Sequence, residues 1–475
     1  MIAGAWVLVG LPLLVAPLVY LVRRWAFPAA MLAGGAAAVL AWLCFTVQPA
    51  EPLPLLGWSL LLEQPVSLLG RQMALTLGGQ MALGLLYGLA AVSFLLAWPV
   101  SPGRSFFPLG LALLSGWAAA VLMQHLAFAV ILLWLISTLA TMVIQGGRPT
   151  STRGAGRQMV LLTLIAPLLL LVSTLIEARA ANPDDFTLTQ PTMLLTAIGL
   201  GGLLAAYPFE GWVSALVTGA QPGVAALLIS GYQVVILLLA LGLFHDQPWL
   251  LADGQVLSLL AWGGLLTVGI GGVLAAVQRH FAPLLGYTVL NDLGMGLLAL
   301  TAMDEAGLTV AFLMVITRAI GLLLAGAGLA VIRQRFGRTS FAEVRGAGRR
   351  LPLAAGGLLL GGLSLGGLPF TAGFAGRWAL LLQTSTAGGL WACLPLLSTF
   401  GVILGWLRSA VALWAAPQPH KDATLPTHNM APVAGVVIAA LILACLWAGR
   451  HSDQLLLWLR PLVEAWTPLL GAVGP

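Results

Sequence analysis

Long apolar runs separated by short polar stretches dominate the hydrophobic pattern of this 475-residue chain. A helix needs about 20 apolar residues to cross a bilayer. Such runs must be helical, because lipid offers no partner for backbone N–H and C=O groups, and the alternation of a membrane barrel is absent. The pattern predicts about fourteen transmembrane helices, at residues 2–22, 28–48, 72–98, 106–123, 125–145, 157–178, 191–208, 221–244, 250–277, 283–303, 306–332, 352–386, 388–415 and 431–449.

Composition agrees with this pattern, since 60% of the residues are hydrophobic and 8% are charged, against about a quarter charged in soluble proteins. We therefore predict an all-α polytopic membrane protein with one transmembrane domain over residues 1–450. Residues 451–475 contain "SDQLLLWLRPLVEAWTPLL", with leucines and tryptophans at helical spacing around a few charges. This segment is predicted to be an amphipathic interfacial helix against a neighbouring subunit; the alternative is an apolar frayed terminus.

The residues that give the net charge of +6 lie in alternate loops and are not clustered in one surface patch. This arrangement argues against nucleic-acid binding and follows the positive-inside rule, so we predict a cell (inner, cytoplasmic) membrane location with both termini on the outer face. Cations and His280 occupy one set of loops: Arg23, Arg24, Arg104, Arg148, Arg153, Arg157, Arg279, Arg333, Arg335, Arg338, Arg345, Arg349, Arg350 and Lys421. Acids occupy the other set: Glu51, Asp184, Asp185, Asp246, Asp304 and Glu305.

Two predicted helices are interrupted. The first break runs from Pro208, in Tyr-Pro-Phe-Glu, to Pro222 and Gly223, in Gln-Pro-Gly; the second is "GGLPFTAGFAGRW", residues 366–378, with Pro369. Proline removes a helical hydrogen bond, and unwound backbone at membrane depth is tolerated only inside protein or beside a wet cavity. Two breaks, one in each half, favour transporter-like inverted repeats; the alternative is that each proline merely kinks a packed helix.

Few ionisable residues fall at membrane depth: Glu210, Asp292, Arg318 and Arg377, with Arg408, His125 and Glu177 nearer helix ends. Asp292 lies nine residues into its span, about 14 Å deep. The helix of Arg318 begins at the opposite face of the membrane. Residue counting places Arg318 about 14 Å from the surface at which the helix of Asp292 begins, in a core of ~30 Å. We therefore predict a buried Asp292–Arg318 ion pair, which either pins two helices together or relays protons.

Glu210 and Arg377 each follow a helix break. Glu210 is a candidate for the proton path, or else caps the next helical segment, where an acid is favoured by the helix dipole. Arg377 sets an electrostatic field but is a poor proton carrier, because arginine holds its proton under essentially all conditions.

Redox and nucleotide chemistry of this chain's own is not expected. Cys44, Cys393 and Cys445 are scattered in apolar spans without paired spacing, so they are interpreted as small buried hydrophobic residues. No phosphate-binding or nucleotide motif is present. We predict no metal, no cofactor and no catalytic redox centre, so whether the chain serves an enzyme depends on its partners.

Three segments resemble the antiporter-like membrane subunits of respiratory complex I, multi-subunit Na⁺/H⁺ antiporters and membrane-bound hydrogenases. They are "PFEGWVSALVTGAQPGVAALL" (208–228), "RHFAPLLGYTVLNDLGMGLLAL" (279–300) and "RRLPLAAGGLLLGGLSLGGLPFTAGFAGRWALL" (349–381). The segments follow the family's order, and the resemblance covers roughly residues 70–410. It implies a fourteen-helix fold and, as partners, a lipid bilayer and other antiporter-like and small hydrophobic membrane subunits of a redox complex.

The resemblance also implies which ionisable groups are replaced. The family relays protons through buried lysines and a glutamate, whereas leucine, alanine, glutamine and arginine cannot exchange a proton near neutral pH. The only lysine here is Lys421. The family glutamate falls on Leu135, its lysines fall on or near Leu203, Gln233 and Ala282, its histidine falls on Glu210, and its lysine or glutamate beyond the second break falls on Arg377.

Three functions follow from the resemblance. The first is an antiporter-like subunit of a complex I-type NADH:quinone oxidoreductase, in proton translocation coupled to electron transfer. The second is a non-pumping scaffold subunit of that complex. The third is a Na⁺/H⁺ or bicarbonate transporter subunit. Candidates for a remaining proton path are Glu210, Asp292, Tyr207, Tyr232, Tyr287 and His125.

Overall fold

Helices make up most of the fold in the computed structural model of this protein. The structure describes residues 2–49, 51–55, 58–68, 70–98, 103, 105–145, 152–182, 186–337, 339–386, 388–416 and 432–467, and side chains are described for these except at 2, 53–55, 58, 68 and 152–164. The loop charges Arg104, Arg148, Asp184, Asp185, Arg338 and Lys421, and the side chains of Arg153 and Arg157, lie outside this description.

The first part of the chain contributes nine helices among the described residues. They are α1 (Gly4–Val22), α2 (Ala26–Thr46), α3 (Leu77–Ala97), α4 (Phe106–Leu122), α5 (Leu126–Gln145), α6 (Thr152–Ala181), α7 (Thr189–Leu203), α8 (Gly211–Gly219) and α9 (Pro222–Asp246). The second part contributes α10 (Gln255–Val277), α11 (Phe281–Thr301), α12 (Glu305–Phe336), α13 (Ala347–Arg350), α14 (Pro352–Leu365), α15 (Phe374–Thr386), α16 (Gly389–Trp414), α17 (Pro432–Arg450) and α18 (Ser452–Glu464).

Contacts group the chain into two compact units. The first contains Met1–Leu204, Leu227–Leu260 and Arg460–Pro475, and the second contains Ala205–Ala226 and Ala261–Leu459. The first unit is built on α1 to α7 and most of α9. The second is built on α8, most of α10, and α11 to α17. Inverted repeats stay a prediction.

The chain is a multi-pass helical membrane protein. Every predicted span coincides with at least one helix, and ten helices among the described residues are long and apolar enough to cross a bilayer. The remaining predicted spans correspond to α4, to α6, to α7, and to α14 with α15. The predicted number of fourteen crossings stays a prediction.

Short strands are the element that the sequence pattern missed. Ile2–Ala3 (β1), Leu53–Leu55 (β2) and Trp58–Leu61 (β3) form one small sheet, and Val66–Leu68 (β4) pairs antiparallel with Arg71–Met73 (β5). The span predicted to begin at residue 72 is therefore wrong at its start. Helix α3 begins at Leu77, because the Thr76 hydroxyl accepts a hydrogen bond from Gly79 N at 3.1 Å and caps it.

Small residues bring α10 and α16 into backbone contact in the second unit. A Cβ on Gly272 would lie 2.5 Å from Ser398 Cα, and a Cβ on Gly401 would lie 2.6 Å from Gly272 O. A Cβ on Gly405 would lie 2.5 Å from Ala275 O. Close approach of this kind is typical of membrane helix pairs, where packing rather than hydrophobic burial drives association.

Two further sequence interpretations can be compared with the fold. Cys44 and Cys445 are buried, as expected, but Cys393 is exposed, so the prediction of a buried residue is wrong there. It lies on α16, where many apolar side chains face outward, as suits a helix with one face towards lipid. Helix α18 has the predicted amphipathic pattern, with Leu459 and Leu462 buried and Trp458 66% exposed; its place at a membrane surface stays a prediction.

Candidate functional site

Both predicted helix breaks are present. At the first, α7 ends at Leu203 and α8 begins at Gly211, with Ala205 at a left-handed φ of 58°. The freed Tyr207 N–H donates to Thr267 Oγ1 at 2.8 Å, and the same hydroxyl donates to Gly263 O at 2.7 Å. Thr267 on α10 therefore satisfies unwound backbone inside the protein, which is the condition for a break at membrane depth.

The second break separates α14 from α15. Gly367 and Phe370 have φ values of 78° and 66°, in the left-handed region. Two hydrogen bonds close the gap, from Leu368 N to Leu363 O at 3.0 Å and from Gly373 N to Ser364 Oγ at 3.2 Å. A Cβ on Gly367 would lie 2.5 Å from Arg377 Cδ, so the glycine lets the aliphatic stem of Arg377 lie against the backbone of the break.

Asp292 and Arg318 form the ion pair that the depth of the two residues predicts. Asp292 lies on α11 and Arg318 on α12, and Arg318 Nε bonds Asp292 Oδ2. Arg318 Nη2 also donates to the backbone carbonyl of Asp292 at 3.1 Å. The guanidinium therefore binds both the side chain and the main chain of α11.

Arg377 binds the same carboxylate from the other side. Its Nη2 lies 3.3 Å from Asp292 Oδ1, and its Nη1 donates to Asn291 Oδ1 at 2.8 Å and to Thr399 Oγ1 at 3.2 Å. Arg377 lies one turn into α15, directly after the second break, so the break delivers this side chain to the middle of α11. We call Asp292, Arg318 and Arg377 the charge triad.

Asn291 supports the triad from the adjacent position on α11. Its Nδ2 donates to Val268 O at 2.9 Å and to Ser398 Oγ at 2.5 Å, while its Oδ1 accepts from Arg377. It therefore joins α10, α11, α15 and α16 at one level. Asn291, Ser398 and Thr399 are functional-site residues that the sequence interpretation missed. The sequence signal that could have identified Asn291 is its amide side chain next to the acid Asp292 within an apolar span.

Burial makes the triad electrostatically unusual. Asp292 is 3% exposed, Arg318 1% and Arg377 2%. Two guanidiniums (+2) and one carboxylate (−1) give a formal charge of +1. Arg377 Nε has no hydrogen-bond partner among the described residues. Charges removed from water cost several kcal/mol each unless they are paired and hydrogen-bonded. This buried network therefore carries a high desolvation cost. It lies within membrane-type helices, where ionisable residues usually serve function.

The structure leaves the other predicted site residues outside the triad. Glu210 occupies the N-cap position of α8 and is half-buried; its side chain makes no capping hydrogen bond, so stabilisation by the helix dipole stays a prediction. Its Oε2 is buried without a partner in the described part of the chain. His280 precedes α11 and is exposed, with its backbone paired to Ser340. Pro208 and Pro369 are exposed within their breaks, and Pro222 and Gly223 begin α9.

Residues of the first unit form separate polar contacts. His125 Nε2 lies 3.0 Å from Glu177 Oε1 at the start of α5. Gln233 is half-buried on α9. Next to it, the buried Tyr232 shares a 2.8 Å hydrogen bond with Ser137. Among the described residues, no three His, Cys, Asp or Glu side chains come together so as to hold a metal ion.

Some helical membrane proteins have apolar spans that are interrupted beside a buried network of charges. Transporters are an example of this class. A sequence profile of the NADH:quinone oxidoreductase/Mrp antiporter transmembrane family matches residues 118–405. The match covers more than half of the chain, so the chain belongs to this family.

Individual relatives support the same assignment. NADH-quinone oxidoreductase subunit N of Rhodococcus opacus (strain B4) is 27% identical over 279 residues, which cover 56% of this chain and 49% of that protein. The chain thus spans about half the length of that relative.

Among solved structures, the fold resembles a chain of the Mrp complex from Dietzia sp. DQ12-45-1b, with a TM-score of 0.76 at 17% identity and 99% coverage of both chains. It also resembles a chain of respiratory complex I from Thermus thermophilus with bound NADH, with a TM-score of 0.70 at 18% identity, covering 98% of this chain and 100% of that chain.

Proposed function

We propose that this chain is an antiporter-like membrane subunit of a complex I-type NADH:quinone oxidoreductase or a related redox complex. In this role it takes part in proton translocation coupled to electron transfer, beside antiporter-like and small hydrophobic membrane subunits. Its family supports the ion-translocating module, and the name of the Rhodococcus relative supports the redox complex. The alternating loop charges support a cell-membrane location with both termini on the outer face.

The charge triad is the observation that carries this proposal. A buried carboxylate held between two guanidiniums, beside a helix break, is costly to maintain and is poor evidence of stability. Arginine does not release its proton, so neither Arg318 nor Arg377 can relay one. We assign the two arginines an electrostatic role: their positive charge sets the energy of a proton or cation that moves nearby.

Co-purification tests the assignment to a redox complex. The chain is isolated from native membranes in mild detergent, and the proteins that remain bound are identified by mass spectrometry. Iron–sulfur proteins of a peripheral arm, with NADH:quinone oxidoreductase activity, are expected. Co-purification with antiporter subunits alone would instead support the Na⁺/H⁺ or bicarbonate transporter alternative, which is favoured by the likeness to the Mrp chain.

Reconstitution tests the part in proton translocation. The assembled complex carrying Asp292→Asn or Glu210→Gln is placed in proteoliposomes, and the number of protons moved per electron is measured. A lowered ratio is expected for Asp292→Asn. Glu305→Gln is the matched control, because Glu305 is an exposed acid in the first turn of α12.

An unchanged ratio in both variants would support the second candidate, a non-pumping scaffold subunit. One observation favours that candidate. On the resemblance, the family's lysine positions fall near Leu203 and on Ala282, which are both buried, and its glutamate position falls on Leu135, which is 59% exposed. None of these side chains can carry a proton.

A further inference from the structure

Helices α10 and α16 run in the same direction and touch along their backbones in the second unit. Gly272 meets Gly401 and Ala275 meets Gly405, so the contact positions advance together along the two helices. Because these contacts involve backbone atoms, the side chains that flank them rise above a groove. The groove is separate from the charge triad, which lies on α11, α12 and α15.

Exposed apolar side chains line one side of this groove. They are between 41% and 74% exposed and comprise, on α10, Val273 and Val277 and, on α16, Leu404, Leu407 and Val411. At about 100° per residue, the two on α10 are turned about 100–140° from Gly272 in one sense, and the three on α16 about 60–120° from Gly401 in the opposite sense. Since the helices are parallel, both sets face the same side of the pair. They form an apolar surface of the kind that an acyl chain contacts.

Arg408 stands at one end of this apolar surface and is exposed. It is turned about 20° from Gly401, in the same sense as Leu404. Its Nη1 donates to Ala276 O in the last turn of α10, so the guanidinium reaches across the groove. Arg408 lies about 28 Å along α16 from Gly389, close to the ~30 Å thickness of a hydrocarbon core. The charge is therefore at the depth of lipid headgroups.

Positive charge dominates the segments at this end of the two helices. Within the described residues 278–280, 333–337, 339–351 and 415–416, six arginines and His280 face a single acid, Glu343. Arg279 directly follows α10 and is exposed, and Arg349 Nε donates to Trp414 O at the end of α16 at 3.3 Å. This end of the groove is therefore complementary to an anion.

We propose that this groove binds an anionic phospholipid. The phosphate accepts hydrogen bonds from Arg408, whose guanidinium carries five donors and uses one of them on Ala276 O. One acyl chain lies along the apolar surface between α10 and α16. An ethanolamine headgroup is disfavoured, because its ammonium would enter a region of surplus positive charge. This site is independent of the proposed function of the chain.

Native mass spectrometry of the full-length chain in detergent tests the proposal. The probes are phosphatidylglycerol and phosphatidylethanolamine with identical acyl chains, each added at the same concentration. We expect the wild-type chain to retain phosphatidylglycerol at least about tenfold more than phosphatidylethanolamine, a difference that corresponds to about 1.4 kcal/mol. Excess inorganic phosphate is expected to leave the lipid bound, because it lacks the acyl chain.

Arg408→Gln locates the phosphate. It is expected to lower retention of phosphatidylglycerol about tenfold and to leave phosphatidylethanolamine unchanged. Arg24→Gln is the matched control, since Arg24 is also exposed, follows α1 in the first unit and belongs to the same predicted set of positive loops. The two variants change the net charge of the chain equally.

A second pair of variants keeps Arg408 and its bond to α10. Val277→Glu places a carboxylate in the groove next to Ala276, where it repels the phosphate. Val277→Gln has the same shape without the charge. We expect retention of phosphatidylglycerol to fall about tenfold in the Glu variant relative to the Gln variant. This pair decides alone if Arg408→Gln does not fold.

Several results would overturn the proposal. Equal retention of the two phospholipids by the wild-type chain would remove the headgroup assignment. Equal losses in Arg408→Gln and Arg24→Gln would show that the lipid responds only to overall charge. Displacement of the lipid by inorganic phosphate would assign the arginine to a free anion. If Arg408→Gln leaves both lipids bound but removes a membrane subunit that co-purifies from native membranes, the groove belongs to that subunit.

Discussion

Arg318 and Arg377 bind different oxygens of one carboxylate, Asp292, although they lie on different helices. One comes from the continuous helix α12 and the other from α15, the helix that resumes after a break. The carboxylate thus links a continuous helix to an interrupted one. Without it, the two guanidiniums would lose the acidic partner that they share.

Asp292→Asn is expected to destabilise the protein strongly. The change leaves two buried guanidiniums facing a neutral amide, and breaking a buried pair by removing one partner costs about 3–5 kcal/mol. The free energy of unfolding in detergent is the measurement. Adding Arg318→Met to Asp292→Asn restores the net charge of the site and is expected to recover at least about 1 kcal/mol, because residues in one network are not additive. Strict additivity would contradict a coupled network.

Two substitutions of Asn291 distinguish the effect of charge on stability from the effect of lost hydrogen bonds. Asn291→Leu removes the acceptor for Arg377 Nη1 and the donor to Val268 O, and is expected to cost about 1–3 kcal/mol for each buried group left unsatisfied. Asn291→Asp offsets the triad's formal charge of +1 and keeps the acceptor. We expect the free energy of unfolding of the Asp variant to be closer to the wild-type value than that of the Leu variant is. Both variants lose the donor to Val268 O, so the opposite order would show that the added carboxylate does not compensate for this loss.

Thr267→Val tests how the first break is satisfied. The Tyr207 N–H loses the Thr267 hydroxyl as its acceptor, and the loss of one hydrogen bond costs about 0.5–1.5 kcal/mol. Thermal unfolding in detergent measures the loss. Thr196→Val is the control, because Thr196 is also 0% exposed but, among the described residues, its hydroxyl bonds only within its own helix, to Thr192 O at 2.7 Å. Equal effects of the two substitutions would contradict the role given to Thr267.

Gly373→Ala tests whether the second break needs its close backbone contact. The new Cβ would lie 2.0 Å from Ser364 O, so the break must shift, and overpacking of this kind costs about 1–3 kcal/mol. Gly356→Ala on α14 is the control, since its Cβ meets no atom within 4 Å, and it is expected to leave stability unchanged or raise it by about 0.5–1 kcal/mol. A lowered melting temperature in the control alone would contradict this reading of the break.

Sequence alone predicted the elements whose signals are local. Asp292 and Arg318 lie on consecutive helices, so residue counting at a fixed rise places both at the same depth. The two breaks were predicted because Pro208, Pro222 and Pro369 interrupt otherwise apolar runs. The strands β2 to β5 were missed because each has only three or four residues, too few to show the alternating pattern that indicates a strand.

The rest of the charge triad depends on three-dimensional geometry. Arg377 follows Asp292 by 85 residues in the chain, and it reaches the carboxylate only because Gly367 and Phe370 turn the backbone between α14 and α15. Sequence assigned Arg377 an electrostatic role without a partner. The contact between Trp466 and Gly78 was likewise hidden, because the two residues are distant in the sequence and meet only when the chain folds.

The glycine contacts between α10 and α16 constrain how the second unit can move. Two backbones that touch at Gly272, Gly401 and Gly405 have no side-chain layer through which to slide or rotate. A disulfide bridge engineered between these two helices is therefore expected to leave the fold of the second unit unchanged, and we expect any movement of this unit to occur at the interrupted segments instead.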